Sequence, residues 1–113
     1  MIVQEMMEFL HAEVVAGGNN MGNNVSGGYV SDLLSNVMSQ GKSGNVWVTM
    51  HGHQNIVAVA SLLGLVAIII AGNVQPDPQT IQKADEEGIP LLVTTLSAFE
   101  VVGLLYSKGI TRI

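Results

Sequence analysis

Two histidines stand at a corner of this chain. Val46-Trp-Val-Thr-Met50 runs into His51-Gly-His-Gln-Asn55, and Ile56 then opens a new apolar run. Alternate residues of an extended segment point to the same side, so both rings can converge on one ligand. A zinc ion would want a third protein ligand. The remaining histidine, His11, is on the first helix, and Asp77 or Glu100 would have to arrive from separate loops. The expectation is therefore no metal and no cofactor. A small anionic ligand suits the corner better. A helix starting near His53 presents unpaired backbone amides and the positive end of its dipole. His51, His53, Gln54 and Asn55 add donors at the same place, and Thr94, Thr95 and Ser97 form a similar corner further along. These seven residues are the expected ligand-binding set.

Other chemistry is harder to assemble. Ser39-Gln-Gly-Lys-Ser-Gly44 contains Gly-Lys-Ser, the end of a phosphate-binding P-loop, but Asn36 stands where that pattern needs its first glycine. The order of elements is also reversed, helix then strand, so the segment reads as a polar turn. Ser61, Ser97 and Ser107 lie in helices or caps, and none sits in Gly-x-Ser-x-Gly. No catalytic residue is assigned. Asp85, Glu86 and Glu87 read as a solvated helix end, and methionines such as Met6, Met7 and Met38 as core filler.

The elements that must position these corners repeat. Apolar strands at 46–50, 65–71 and 89–94 each run into a polar corner, and each corner opens a helix, at 56–63, 78–87 and 98–107. Strands alternating with helices of about ten residues imply βαβ units and a largely parallel sheet. In such a sheet the three corners share the carboxyl edge, where α/β proteins bind ligands. Two helix starts are well signed: Asp77 before Pro78, and the capping box Ser97-Ala-Phe-Glu100. Gly88 and Gly109 fall where helices end. Upstream, the first eleven residues read as an amphipathic helix and residues 13–16 as a short strand. Gly17-Gly-Asn-Asn-Met-Gly-Asn-Asn24 reads as a mobile loop. Ser31 is expected to cap a helix beginning at Asp32.

Composition narrows the classes. The 113 residues suit one domain, 1–113, and 48% hydrophobic content is enough for a core. Only 12% are charged, about half the usual share, so part of the surface is expected to lie under another subunit. Tyr29, Val30, Leu33 and Leu34 are the expected contact residues of a homo-oligomer. A net charge of −5 with four Lys plus Arg gives no nucleic-acid footprint. No cysteine is present, so disulfides and thiolate sites are out. The first thirteen residues carry Glu5, Glu8 and Glu13 and nothing like a signal peptide, which makes the cytoplasm the default compartment. The uncharged run 56–71 is shorter than the roughly 20 residues of a membrane span, and Gly64 breaks it.

Several segments together resemble the small stand-alone proteins of the DRTGG domain family. They are Gly27-Gly-Tyr-Val-Ser-Asp-Leu-Leu-Ser35, Val46-Trp-Val-Thr, His53-Gln-Asn-Ile-Val-Ala-Val-Ala-Ser61, Ala67-Ile-Ile-Ile70, Ala84-Asp-Glu-Glu-Gly-Ile-Pro90 and Leu96-Ser-Ala-Phe-Glu100. The match covers about residues 10 to 110 as many short pieces. The family is similar to the N-terminal domain of HPr kinase/phosphorylase. It also occurs inside some phosphotransacetylases and between the CBS domains of some pyrophosphatases. The resemblance implies an α/β module that is regulatory or assembles larger complexes and is not an enzyme. Stand-alone members are often named serine kinases, but the P-loop that activity needs is missing here. Some are encoded near iron hydrogenases, which implies a larger enzyme complex of hydrogenase type as partner. Many members carry an Asp-Arg pair where this chain has Asn24-Val-Ser-Gly-Gly28 or His51-Gly-His-Gln-Asn55. Without that arginine the bidentate phosphate clamp is lost.

The expected fold is therefore α/β: three layers, α/β/α, around a mostly parallel sheet of four or five strands. The expected function is a regulatory, ligand-sensing or protein-interaction domain. Two alternatives stay open, a small enzyme using His51 or His53 as acid–base and a purely structural oligomerisation module.

Overall fold

The middle strands bury both faces, and that decides the architecture. The computed structural model describes residues 1–112. Its elements run α1 (Val3–Phe9), β1 (Glu13–Ala16), a short 3-10 turn, β2 (Gly27–Val30), α2 (Leu34–Gln40), β3 (Asn45–Thr49), α3 (Asn55–Leu63), β4 (Ala67–Ile70), α4 (Pro78–Glu87), β5 (Leu91–Val93) and α5 (Ala98–Ser107). In β3, Val46 and Val48 face one core while Trp47 faces the other. In β4, Ala67 and Ile69 face the first, Ile68 and Ile70 the second. Alternation with no polar phase requires helices on both sides. Val3 and Met6 of α1 and Val101 and Leu105 of α5 cover the first face. Val37 of α2, Ile56, Val57 and Ala60 of α3 and Ala84 of α4 cover the second.

The five strands order as β1-β5-β4-β3-β2. Strands β2 to β5 are parallel, and β1 joins β5 antiparallel with Glu13 opposite Val93. The three-layer, mostly parallel fold is as expected. Its carboxyl edge gathers the corners after β2, β3, β4 and β5, and also the start of β1, because that strand runs the other way.

Local signals are partly rewritten. The capping box forms, with Glu100 N–H to Ser97 Oγ at 3.2 Å and Ser97 N–H to Glu100 Oε1 at 3.1 Å. Gly64 and Gly88 end their helices in the left-handed region. Helix α2, by contrast, begins at Leu34 and not at Asp32. Ser31 Oγ accepts from Leu33 N–H ahead of the helix, and Asp32 is drawn to β3 instead. Asp77 precedes Pro78 without capping by its side chain. Met38 is exposed, so it is not core filler. No described helix is long and apolar enough to cross a membrane.

The glycine–asparagine loop is fastened, against the expectation of mobility. Gly17 N–H donates to Asp85 Oδ1 at 2.8 Å, Asn20 Nδ2 donates to the Gly88 carbonyl, and Met21 is buried. Gly17 has φ +69° and lies against the 89–90 backbone, where a Cβ would stand 2.1 Å from the Ile89 carbonyl oxygen. Backbone cannot move aside as a side-chain tip can. Gly17→Ala should therefore cost more than about 2 kcal/mol, combining left-handed strain with the clash. Gly18→Ala, where a Cβ meets nothing within 4 Å, should be close to neutral. Urea unfolding of the two variants checks the contrast, and equal midpoints would remove the close approach as a determinant.

Candidate functional site at the carboxyl edge

Each corner on the carboxyl edge is tied to its neighbour by a polar bond. Asp32, after β2, accepts from Thr49 Oγ1 and from Met50 N–H, both at 2.7 Å, and His51 Nε2–H donates to the Asp32 carbonyl at 2.6 Å. Gly52, after β3, gives its carbonyl to Asp77 N–H at 2.9 Å and to Thr80 Oγ1 at 2.6 Å. After β4, Gly72 N–H donates to the Leu96 carbonyl and Asn73 N–H to the Thr94 carbonyl, at 2.7 and 3.0 Å. Thr94, after β5, donates through Oγ1 to the Leu10 carbonyl at 3.1 Å and accepts there from Leu96 N–H at 3.2 Å. The line runs from the end of β2 to the start of β1.

Of the seven expected residues, Thr94 and Thr95 line a concave region. A cavity of about 140 Å³ is lined by these two with His11, Glu13, Asn73, Gln75 and Val93. His51 and Ser97 serve the fold, His51 on Asp32 and Ser97 in its capping box. The ring of His53 accepts from Asn55 N–H through Nδ1 at 3.1 Å, taking up an amide that a ligand would otherwise use. The 51–55 and 94–97 corners thus share an edge without sharing this cavity.

The cavity has one further property. His11, φ +50°, and Asn73, φ +60°, are the non-glycine residues in the left-handed region among those described, and both line it. Such backbone costs about 1–2 kcal/mol per residue, less for asparagine. Strain of this kind gathers at ligand sites. His11, Glu13, Asn73 and Gln75 were not legible as a set, because the antiparallel arrival of β1 is what joins the first pair to the second. The one local hint was Gly72-Asn73, a turn dipeptide that tolerates positive φ. No Lys or Arg lies in any of the edge corners, and none lines the cavity. Among the described residues no three His, Asp or Glu side chains come together as a metal site.

Asp32 is the titrating clasp. Partial burial pushes its carboxyl up, but the hydrogen bonds from Met50 and Thr49 and the nearby His51 outweigh burial and hold it below its ordinary value. A depressed carboxylate contributes stability above its unfolded pKa of about 3.9 and loses it as pH falls through the folded value. Asp32→Asn should then lower stability at pH 7 by roughly 1 kcal/mol, allowing for solvent screening. The deficit should shrink as pH drops below about 4. Thermal melts of both proteins from pH 7 to pH 3 test this, and a deficit independent of pH would refute it.

The fold is a three-layer α/β domain with a polar cavity of about 140 Å³ on its carboxyl edge. The sequence pattern of the DRTGG domain matches residues 5–107, and the chain belongs to that family. No curated protein sequence matches it. Among solved structures it is similar to the CBS and DRTGG domains of the regulatory region of Clostridium perfringens pyrophosphatase, a structure complexed with the activator diadenosine tetraphosphate. The TM-score is 0.75 at 16% identity, over 92% of this chain and 45% of that one. The likeness is one of fold, and it spans less than half of that regulatory region.

Proposed function

We propose that this chain is a non-catalytic regulatory domain that binds a small polar ligand at the carboxyl edge of its sheet. The observation that carries the reading is the 140 Å³ cavity whose lining includes two non-glycine residues in left-handed backbone. Its family adds support, and so does the regulatory setting of the similar pyrophosphatase domains. The pyrophosphatase activator is a nucleotide; an anionic ligand here would have to sit toward the neutral donors and away from the Glu13 carboxylate, which also lines the cavity. Asn73, Gln75, Thr95 and nearby backbone amides can serve, without an arginine clamp. The expected residues His51, His53, Gln54, Asn55 and Ser97 then belong to the rim of the edge, with Thr94 and Thr95 in the cavity itself. An acid–base role for His51 or His53 has less support, since one nitrogen of each ring is already engaged by backbone.

A second reading, contact with another subunit or a larger complex, draws on the outer strand. Val30 is 47% and Leu33 65% exposed. Tyr29 bonds Asn36 and Leu34 packs on the core, so contact would fall on Val30 and Leu33.

A thermal-shift screen of nucleotides and small metabolites tests the ligand reading. A ligand at a hundredfold its Kd should stabilise by about 2.7 kcal/mol. Asn73→Gly is the diagnostic variant. It relieves left-handed strain and deletes a lining amide, so it should melt no lower than the native protein and lose the ligand shift. A variant that keeps the full shift would move the site elsewhere on the molecule.

A further inference from the structure

The carboxyl-edge cavity has two unlike walls. Strand β5 lies between β1 and β4 in the sheet, and Val93 and Thr95 line the cavity between the two sides. His11 and Glu13 belong to the β1 side, Asn73 and Gln75 to the corner after β4. Glu13 pairs directly with Val93, so both side chains leave the sheet on one face. The Glu13 carboxylate is unpaired, since the one ion pair among the described residues joins Lys83 to Glu87. Nor does any side-chain hydrogen bond within those residues use Glu13, Asn73, Gln75 or Thr95. Asp32 and Thr80, on the same edge, spend their side chains on neighbouring corners. Around the cavity the polar groups are kept for something else.

We propose, resting on the reading of this cavity as the ligand site, that its ligand is a small α-amino acid, with the ammonium on Glu13 and the carboxylate toward Asn73, Gln75 and Thr95. Charge selects the class. No Lys or Arg lines the cavity, so a plain anion meets the Glu13 carboxylate with nothing to offset it. A plain alkylamine satisfies Glu13 and leaves the amide donors of the other wall unused. An amino acid answers both walls, and its direction is fixed. Size agrees. At about 140 Å³ the cavity is close to the roughly 150 Å³ that holds one benzene ring. That admits glycine, alanine or serine, whereas a nucleotide can place only a fragment of itself inside.

The probes are glycine, alanine and serine, each set against the acid of the same skeleton with a hydroxyl in place of the amine: glycolate, lactate and glycerate. Each is titrated into the full chain at pH 7 and followed by amide NMR shifts. The best amino acid should perturb Glu13, Asn73 and Thr95 and bind about fivefold tighter than its hydroxy acid, the upper end for an exposed ion pair. Glu13→Gln, an isosteric change at an exposed residue, should erase that preference and leave the hydroxy acid bound no more weakly. Equal or tighter binding of the hydroxy acids, with shifts at the same amides, would overturn the amino-acid class and keep the cavity as the site. Shifts centred elsewhere on the molecule would overturn class and site together. Absence of any shift from all of these probes at millimolar concentration would overturn the class, and the nucleotide arm of the thermal-shift screen, read with Asn73→Gly, would then decide the cavity by itself.

Discussion

Strand β4 is buried on both faces along its whole length, and the rest of the domain is arranged to keep it so. Ala67 to Ile70 has no polar phase to offer water. Helices must therefore close over each face, and the connections between strand and helix are forced out to the two edges of the sheet. Polar residues can be spent only there. Trp47, one strand over, shows the same pressure on a single side chain. Its ring is fully buried, and its indole N–H finds the Ser31 carbonyl at 2.8 Å. A buried donor left without a partner would cost about 1–3 kcal/mol.

Polar corners on an edge do not hold one another by apolar contact. In this protein they are held by a series of single bonds, each from one corner to the next. Asp32, the Gly52 carbonyl, the Gly72–Asn73 amides and Thr94 each join two neighbouring segments. Close approach is part of the same design. A Cβ at Gly52 would stand 2.8 Å from the Gln75 carbonyl oxygen, so the second corner can touch the third only because nothing projects there. Of the two corner histidines, His51 takes part in this fastening through the Asp32 carbonyl, while the His53 ring accepts from Asn55 N–H within its own corner. The cavity opens where the fastening leaves room, beyond Thr94.

What was legible in the sequence follows from the range of the forces involved. The central strands were legible because burial on both faces leaves a continuous apolar run, and the helix ends because caps act over three or four residues. Ser97 to Glu100 is such a case. Asp32 was misread for the opposite reason. Its local setting says helix start, but a partner seventeen residues away in Thr49 offers a better bond. The loop at 17–24 was read as free because glycine and asparagine tolerate many conformations. Its anchors, Asp85 and Gly88, are 68 residues distant. The edge cavity was missed in part because it depends on the direction of β1, and four residues of sequence carry no sign of direction. The notion of one shared edge survived, since it needs only the βα order.

The antiparallel seam between β1 and β5 has a consequence for how occupancy would be communicated. The polar cavity straddles that seam, with Glu13 on one side and Thr94 and Thr95 on the other. The seam is short, and its register slips between Val14 and Ala16. Most of the sheet is already closed on both faces and has little cohesion left to gain. A molecule held across the seam acts as a rivet between the first sixteen residues and the body of the domain, and its binding energy adds to that junction first. Its presence would be registered as slowed hydrogen exchange in β1 and as a firmer seat for α1, whose outer surface is then where a partner could read the signal.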